Sequence, residues 1–235
     1  GLTCDPEELA RELHRVARNL AETADPGPAQ ETAERLATAP IDVGPLLAPA
    51  LSGDRTAIER EAHRLGVDAS ALGQILDLVL QPVLWEAATQ LAVLTDIDRW
   101  DRGYCPVCGA WPGLAELVGP EKRRVLRCVR CGVAWSWLLL LCPYCGNDDH
   151  RSLGVLSSDE PHERVDVCMR CHGYVKAIQT YSSHPAARIV AEDVATLHLD
   201  IGATESGYKR PGDVDVSTAG IPRLVREARA APVPD

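Results

Sequence analysis

Eight of the nine cysteines fall in four Cys-x-x-Cys pairs: Cys105/Cys108, Cys128/Cys131, Cys142/Cys145 and Cys168/Cys171. No other feature constrains the fold as strongly. Two intervening residues let the backbone turn so that both sulfurs face one point, and two such pairs about twenty residues apart make the ligand set of a structural metal site. A secreted disulfide scaffold is usually shorter, and its cysteines are rarely all spaced by two. Metal thiolates need reduced cysteine, so the chain is expected in the cytoplasm. The ninth cysteine, Cys4, is read as incidental.

The pairs are duplicated. CPVCG then CVRCG is echoed by CPYCG then CMRCH, so one repeat runs from Cys105 to Cys131 and the other from Cys142 to Cys171. Pairing in sequence order closes a loop of 19 residues between Cys108 and Cys128 and one of 22 between Cys145 and Cys168. Both suit a zinc-ribbon or rubredoxin-like unit; a cross-brace would interleave the repeats and is disfavoured. The expected ligands are Cys105, Cys108, Cys128 and Cys131 for one ion, and Cys142, Cys145, Cys168 and Cys171 for a second. Gly109, Gly132 and Gly146 follow three of the pairs, where a positive φ lets backbone N–H groups approach sulfur; His172 takes that place at the fourth. Four thiolates close a tetrahedral site and leave no position for substrate. Zinc and iron both accept this donor set, whereas an iron–sulfur cluster suits a more clustered run of cysteines.

Around the cysteines the chain reads as α+β. Asp5 is an N-cap before Pro6, with Glu8 at capping-box spacing, and Leu9, Leu13, Val16 and Leu20 recur on one helical face. Pro26, Gly27 and Pro28 end that helix. Further helices are expected over Gln30–Thr38, Asp54–Leu65 and Ala69–Leu94, the last kinked or divided at Pro82. Strands are expected at Leu114–Val118, Arg124–Arg127, Val133–Leu139, Leu153–Ser157, Arg164–Val167 and Tyr174–Tyr181. A helix over Pro185–Ile201 should bury Val190, Val194, Leu197 and Ile201. The tail after Gly202 is read as extended, with a short helix at Pro222–Ala230. The expected domains are therefore a helical domain at 1–99, rubredoxin-like metal units at 100–141 and 142–183, and a helix with an extended tail at 184–235. A first residue of Gly1 rather than Met is read as a trimmed N-terminus.

Composition and charge remove several functions. Apolar residues make up 46% and charged residues 25% of the chain, as in folded domains. No apolar run is long enough for a membrane span, and no signal peptide opens the chain. A net charge of −10, nearly all of it in residues 1–100, repels nucleic-acid phosphates. The basic cluster Lys122, Arg123, Arg124, Arg127 and Arg130 is read as compensation for cysteinate charge. No nucleophile elbow, zincin helix or P-loop is present. His150, His162, His172, His184 and His198 keep no spacing to a nucleophile or a carboxylate pair. Cys142-Pro143-Tyr144-Cys145 has the form of a redox motif, yet it is one of four knuckles and leads into a turn. The chain is read as a binding protein rather than an enzyme. Trp111, Trp135, Trp137, Arg127, Arg130 and Arg170 are the side-chain types that anchor interfaces.

The order of motifs resembles the formate dehydrogenase accessory protein (FdhE) family. The resemblance lies in CPVCGAWP at 105–112, CVRC at 128–131, CPYC at 142–145, VCMRCHGYVK at 167–176, VAEDVATLHLD at 190–200 and GYKR at 207–210. It implies a cytoplasmic maturation factor with rubredoxin-like centres, iron as their metal, and the formate dehydrogenase catalytic subunit as partner. Two other functions fit the cysteines. An iron tetrathiolate could carry electrons, although a carrier would need little more than one small metal unit. A zinc-ribbon adaptor would need a basic face, which the acidity disfavours. The sequence fixes no oligomeric state.

Overall fold

The computed structural model of the chain describes residues 5–94 and 96–210. It is an α+β protein that divides into two compact units, with the boundary between Ala87 and Ala88. Cys4 and the helix expected at Pro222–Ala230 lie outside the described residues.

The first unit is helical. Helix α1 (Pro6–Thr23) starts where Asp5 accepts the backbone N–H of Glu7, with Pro6 in the first turn. It buries Leu9, Leu13 and Ala17 and packs on α2 (Pro28–Thr38), which buries Ala33 and Leu36. Helix α3 (Gly44–Ser52) was not among the expected helices, and it forms despite Pro45 and Pro49, residues that disfavour a helix interior. Pro45 sits in the first turn, where no N–H is needed, and Leu46 and Ala50 bury the inward face. Helix α4 (Arg55–Leu65) is capped by Asp54 through the Ala57 N–H and ended by Gly66. Helix α5 (Ala69–Leu94) runs without division through Pro82. It buries Leu72, Ile75, Leu76, Val79 and Leu80. No single helix among the described residues is long and apolar enough to cross a membrane.

The second unit is built on one sheet of six strands: β1 (Leu114–Val118), β2 (Arg123–Arg127), β3 (Ala134–Ser136), β4 (Leu153–Ser157), β5 (Glu163–Cys168) and β6 (Tyr174–Thr180). The spatial order is β3-β2-β1-β6-β5-β4. Each cysteine repeat is an antiparallel three-stranded meander, and the two join through the parallel pair β1–β6, Leu114 facing Lys176 and Val118 facing Thr180. Strand directions and order make the second meander a copy of the first displaced sideways by three strands. The joining edges are therefore different edges, the first strand of one repeat against the last strand of the other. Expected strand bounds agree to within about a residue, except that β3 is shorter than Val133–Leu139.

The expected single helix over Pro185–Ile201 is two: α6 (Ala186–Ala195) and α7 (Leu197–Glu205). They part at Thr196, whose hydroxyl donates back to the Glu192 carbonyl at 2.7 Å. The break turns the buried side to Ile189, Leu199 and Ala203. These pack on Leu114, Val165, Val167, Tyr174 and Ile178 of the sheet. Val194, Leu197 and Ile201, expected inside, are 68%, 58% and 55% exposed. Beyond α7 the chain is not free. Lys209 donates its N–H to the His172 carbonyl at 2.8 Å and bridges Gly173.

Candidate metal centres

Each cysteine pair sits on one tight backbone turn, formed four times. The first cysteine of a pair accepts from the residue four places on: Gly109 to Cys105 at 3.1 Å, Gly132 to Cys128 at 2.9 Å, Gly146 to Cys142 at 3.1 Å. Its own N–H then donates to a carbonyl five residues on, at 2.8–2.9 Å in all four. Closing so short a loop needs a left-handed residue, and Gly109, Gly132 and Gly146 supply φ of 72°, 76° and 67°. At the fourth turn His172 takes φ 55° instead. Glycine follows at 173 because a Cβ there would lie 2.5 Å from the Tyr144 ring and 3.2 Å from Cys171 Sγ.

These turns bring the sulfurs together in sequence order. Cys105, Cys108, Cys128 and Cys131 form one group and Cys142, Cys145, Cys168 and Cys171 the other, with all sulfurs of a group within 4.8 Å of one another. Across the pairs, Cys105 lies 3.4 Å from Cys131 and Cys108 lies 3.4 Å from Cys128. In the second group both cross-distances are 3.7 Å. A disulfide would bring sulfurs to about 2.05 Å; a tetrahedral ion with bonds of about 2.3 Å separates them by about 3.8 Å. None of the eight cysteines is in a disulfide, and their sulfurs have the spacing of ligands. Backbone N–H groups of Val107 and Cys131 point at Cys105 and Cys128 sulfur, each at 3.4 Å.

Thiols this close cannot ionise independently. The Cys105 thiol pulls Cys108 down, while the same neighbour pushes Cys128 well up. In the second group Cys142 lowers Cys145 to about 7 and is itself driven up by Cys145. Four adjacent thiolates repel one another, and a divalent cation is the partner that lets all four ionise. The donor set therefore fits a metal ion of the zinc or iron class, held without an open coordination position.

The redox reading of Cys142–Cys145 finds no support in the geometry. Each sulfur is matched to the fourth pair, Cys142 to Cys171 and Cys145 to Cys168, and no helix follows Cys145. The basic cluster also has another use. Arg127 is buried against Glu116 at 2.5 Å and donates to Ser183 Oγ and the His184 carbonyl. Arg124 reaches Asp166 at 3.3 Å, a charge contact without hydrogen-bond alignment, and donates to the Leu141 carbonyl. Both arginines are engaged by carboxylates, and Arg127 is too buried to anchor an interface. Of the tryptophans, Trp135 and Trp137 fill the core. Trp111 stands in a line of edge-to-face rings, Trp100–Tyr104–Trp111–Tyr144, that ties the first repeat to the third knuckle.

Sequence reasoning missed a second polar centre. The Lys176 ammonium is fully buried, 2.8 Å from both Asp193 and Asp200. Asp200 also accepts from Tyr174 Oη at 2.8 Å and from Arg210 at 2.6 Å. Tyr174, Lys176, Asp193, Asp200 and Arg210 come from three separate motifs. A Lys before and an Arg after two Asp in a helical stretch were the available signal, but only tertiary structure makes them neighbours.

Comparison with known proteins places this chain beside one family. Residues 140–215 match the family model described as FdhE, C-terminal domain. A protein FdhE homolog from Aquifex aeolicus is 32% identical over 147 residues, 61% of this chain and 51% of that protein. One from Shewanella baltica is 33% identical over 109 residues, 46% of this chain and 36% of its own. The chain thus spans about half, or less, of the length of these relatives. The crystal structure of the FdhE protein from Pseudomonas aeruginosa shares the fold, with a TM-score of 0.55 and 24% identity over 89% of this chain and 78% of that one.

Proposed function

We propose that this chain, which carries the C-terminal domain of the FdhE family at residues 140–215, is a metal-binding accessory factor for the maturation of formate dehydrogenase and binds that enzyme's catalytic subunit. The observation that carries the reading is the pair of tetracysteine groups within the fold of that family. Cys105, Cys108, Cys128 and Cys131 hold one ion, and Cys142, Cys145, Cys168 and Cys171 the other. Iron is the metal the family resemblance implies, and zinc suits the same thiolates. When bound, either ion supplies cross-linking of strands and loops rather than an activated water, because four thiolates saturate it. The chain's own residues then do the work of recognition, on a surface held rigid by the two centres. The role is not enzymatic, and it belongs in the cytoplasm, where thiols stay reduced.

The test is co-purification of the chain with the formate dehydrogenase catalytic subunit from the same organism, produced without its cofactors. A stable complex lost on metal removal supports the reading. Failure to bind the subunit at any stage of its assembly contradicts it.

A further inference from the structure

We infer that the two centres are chemically unequal: the second exchanges its ion more readily, and Asn147 is the positioning residue that restrains it. The inference rests on the metal-binding reading above. The duplication supplies an internal control, since Cys105 N–H donates to the Ala110 carbonyl and Cys142 N–H to the Asn147 carbonyl. Ala110 and Asn147 therefore occupy the same place in the two repeats. Ala110 ends in a methyl group. The Asn147 amide reaches into the ligand set instead, Nδ2 donating to Cys168 Sγ at 3.6 Å and to Ser152 Oγ at 2.8 Å.

The sense of that amide is fixed from both sides. Its Oδ1 accepts the Asp149 N–H at 3.4 Å, and the Ser152 hydroxyl that accepts from Nδ2 spends its own proton on the Asp149 carbonyl at 3.0 Å. A flipped amide would set oxygen against sulfur and against the Ser152 oxygen. With Asn147 only 4% exposed, water cannot replace these bonds. A hydrogen bond to a metal-bound thiolate draws charge from sulfur and makes it a poorer nucleophile toward protons and electrophiles.

The second centre is also the more accessible. Two of its sulfurs, those of Cys145 and Cys171, belong to partly exposed residues, against Cys108 alone in the first. A cavity of about 160 Å³ reaches Cys142 and Cys168, with the exposed side chains of Leu139, Leu140 and Val155 at its wall. A centre open to small molecules exchanges its ion unless its thiolates are quietened, and Asn147 performs that task at Cys168.

The test uses the zinc-loaded full chain treated with N-ethylmaleimide. Zinc release is followed with a metallochromic indicator, and alkylated cysteines are located by mass spectrometry. Release should be biphasic, with Cys145 and Cys171 modified in the fast phase. Asn147→Ala should speed that phase about tenfold, the factor one charge-assisted hydrogen bond supplies, and leave the slow phase unchanged. Ser152→Ala keeps the amide but removes its anchor, so it should speed the same phase by less, and it decides the matter if Asn147→Ala does not fold. Equal release from both centres, Cys108 reacting first, or variants that speed both phases together would overturn the inference. A chain that takes up fewer than two zinc ions fails the metal-binding reading before any reagent is added, and the inference falls with it.

Discussion

Glu116 has no exposed surface and Arg127 keeps 3% of its side chain exposed, so the two charges are held by each other and by Ser183, His184 and the Gly132 carbonyl. Removing one partner leaves the other buried and uncompensated, which costs about 3–5 kcal/mol. Glu116→Ala should lower unfolding stability in urea by that amount, whereas Glu116→Met with Arg127→Leu should recover much of it. Equal losses in the single and double variants would show that the pair is not the source. The cysteines make a different case at the same scale. Cys128→Ser should lose one equivalent of metal and leave the second centre filled, as elemental analysis would register. The ligands were legible in the sequence because spacing within a pair is local and the pairs are repeated. Glu116 and Arg127 were not, because their meeting depends on strand register and on a loop that returns after β6.

Elements were legible where one periodicity ruled and illegible where two effects competed. Helix α5 and strands β1 and β4 have the expected bounds, since their apolar runs lie between clear turn signals. Helix α3 was hidden because proline propensity outweighed the burial of Leu46 and Ala50. The α6–α7 pair was read as one helix because the Val190–Ile201 stripe is regular, while the back-bonded Thr196 shifts the buried face. That pair is held to the sheet by Asp200. Burial raises its carboxyl, but Lys176, Arg210 and Tyr174 outweigh burial and hold it below the ordinary carboxylate value. The stabilisation is therefore full above about pH 4, the unfolded carboxylate range, and is lost as pH falls through the lower folded value. Asp200→Asn should reduce the thermal midpoint at neutral pH, and the gap to the unaltered protein should close on acidification. A gap unchanged down to pH about 2 would contradict this assignment. Backbone approach matters at this scale as well. A Cβ at Gly103 would lie 1.7 Å from the Pro143 carbonyl oxygen. Gly103→Ala should therefore separate the lead-in of the first repeat from the third knuckle, with a loss of stability seen in thermal melts.

At the scale of the molecule, the duplication visible in the cysteines became one sheet rather than two separate ribbons. Nothing in the repeats announces the β1–β6 junction, which joins strands far apart in sequence and in parallel register. The sideways copy leaves β3 and β4 at the outer edges and places both sulfur groups on turns beside the strands of their own repeat. Each repeat is small and rich in turns, so its stability depends on ions that cross-link the turns. The helical unit buries its own apolar faces and has no such need. Chelation should accordingly collapse near-ultraviolet signals of Trp111, Trp135 and Trp137 while most helical circular dichroism persists. The claim on which the rest depends is that eight cysteines hold two ions, four to each. Metal analysis of protein purified without chelator, paired with alkylation of the folded chain, tests it most directly. The account predicts close to two equivalents of iron plus zinc, with the eight paired cysteines alkylated far more slowly in the metal-loaded chain than after the metal is removed. One equivalent or less, or eight thiols that react at once in the folded protein, would contradict it.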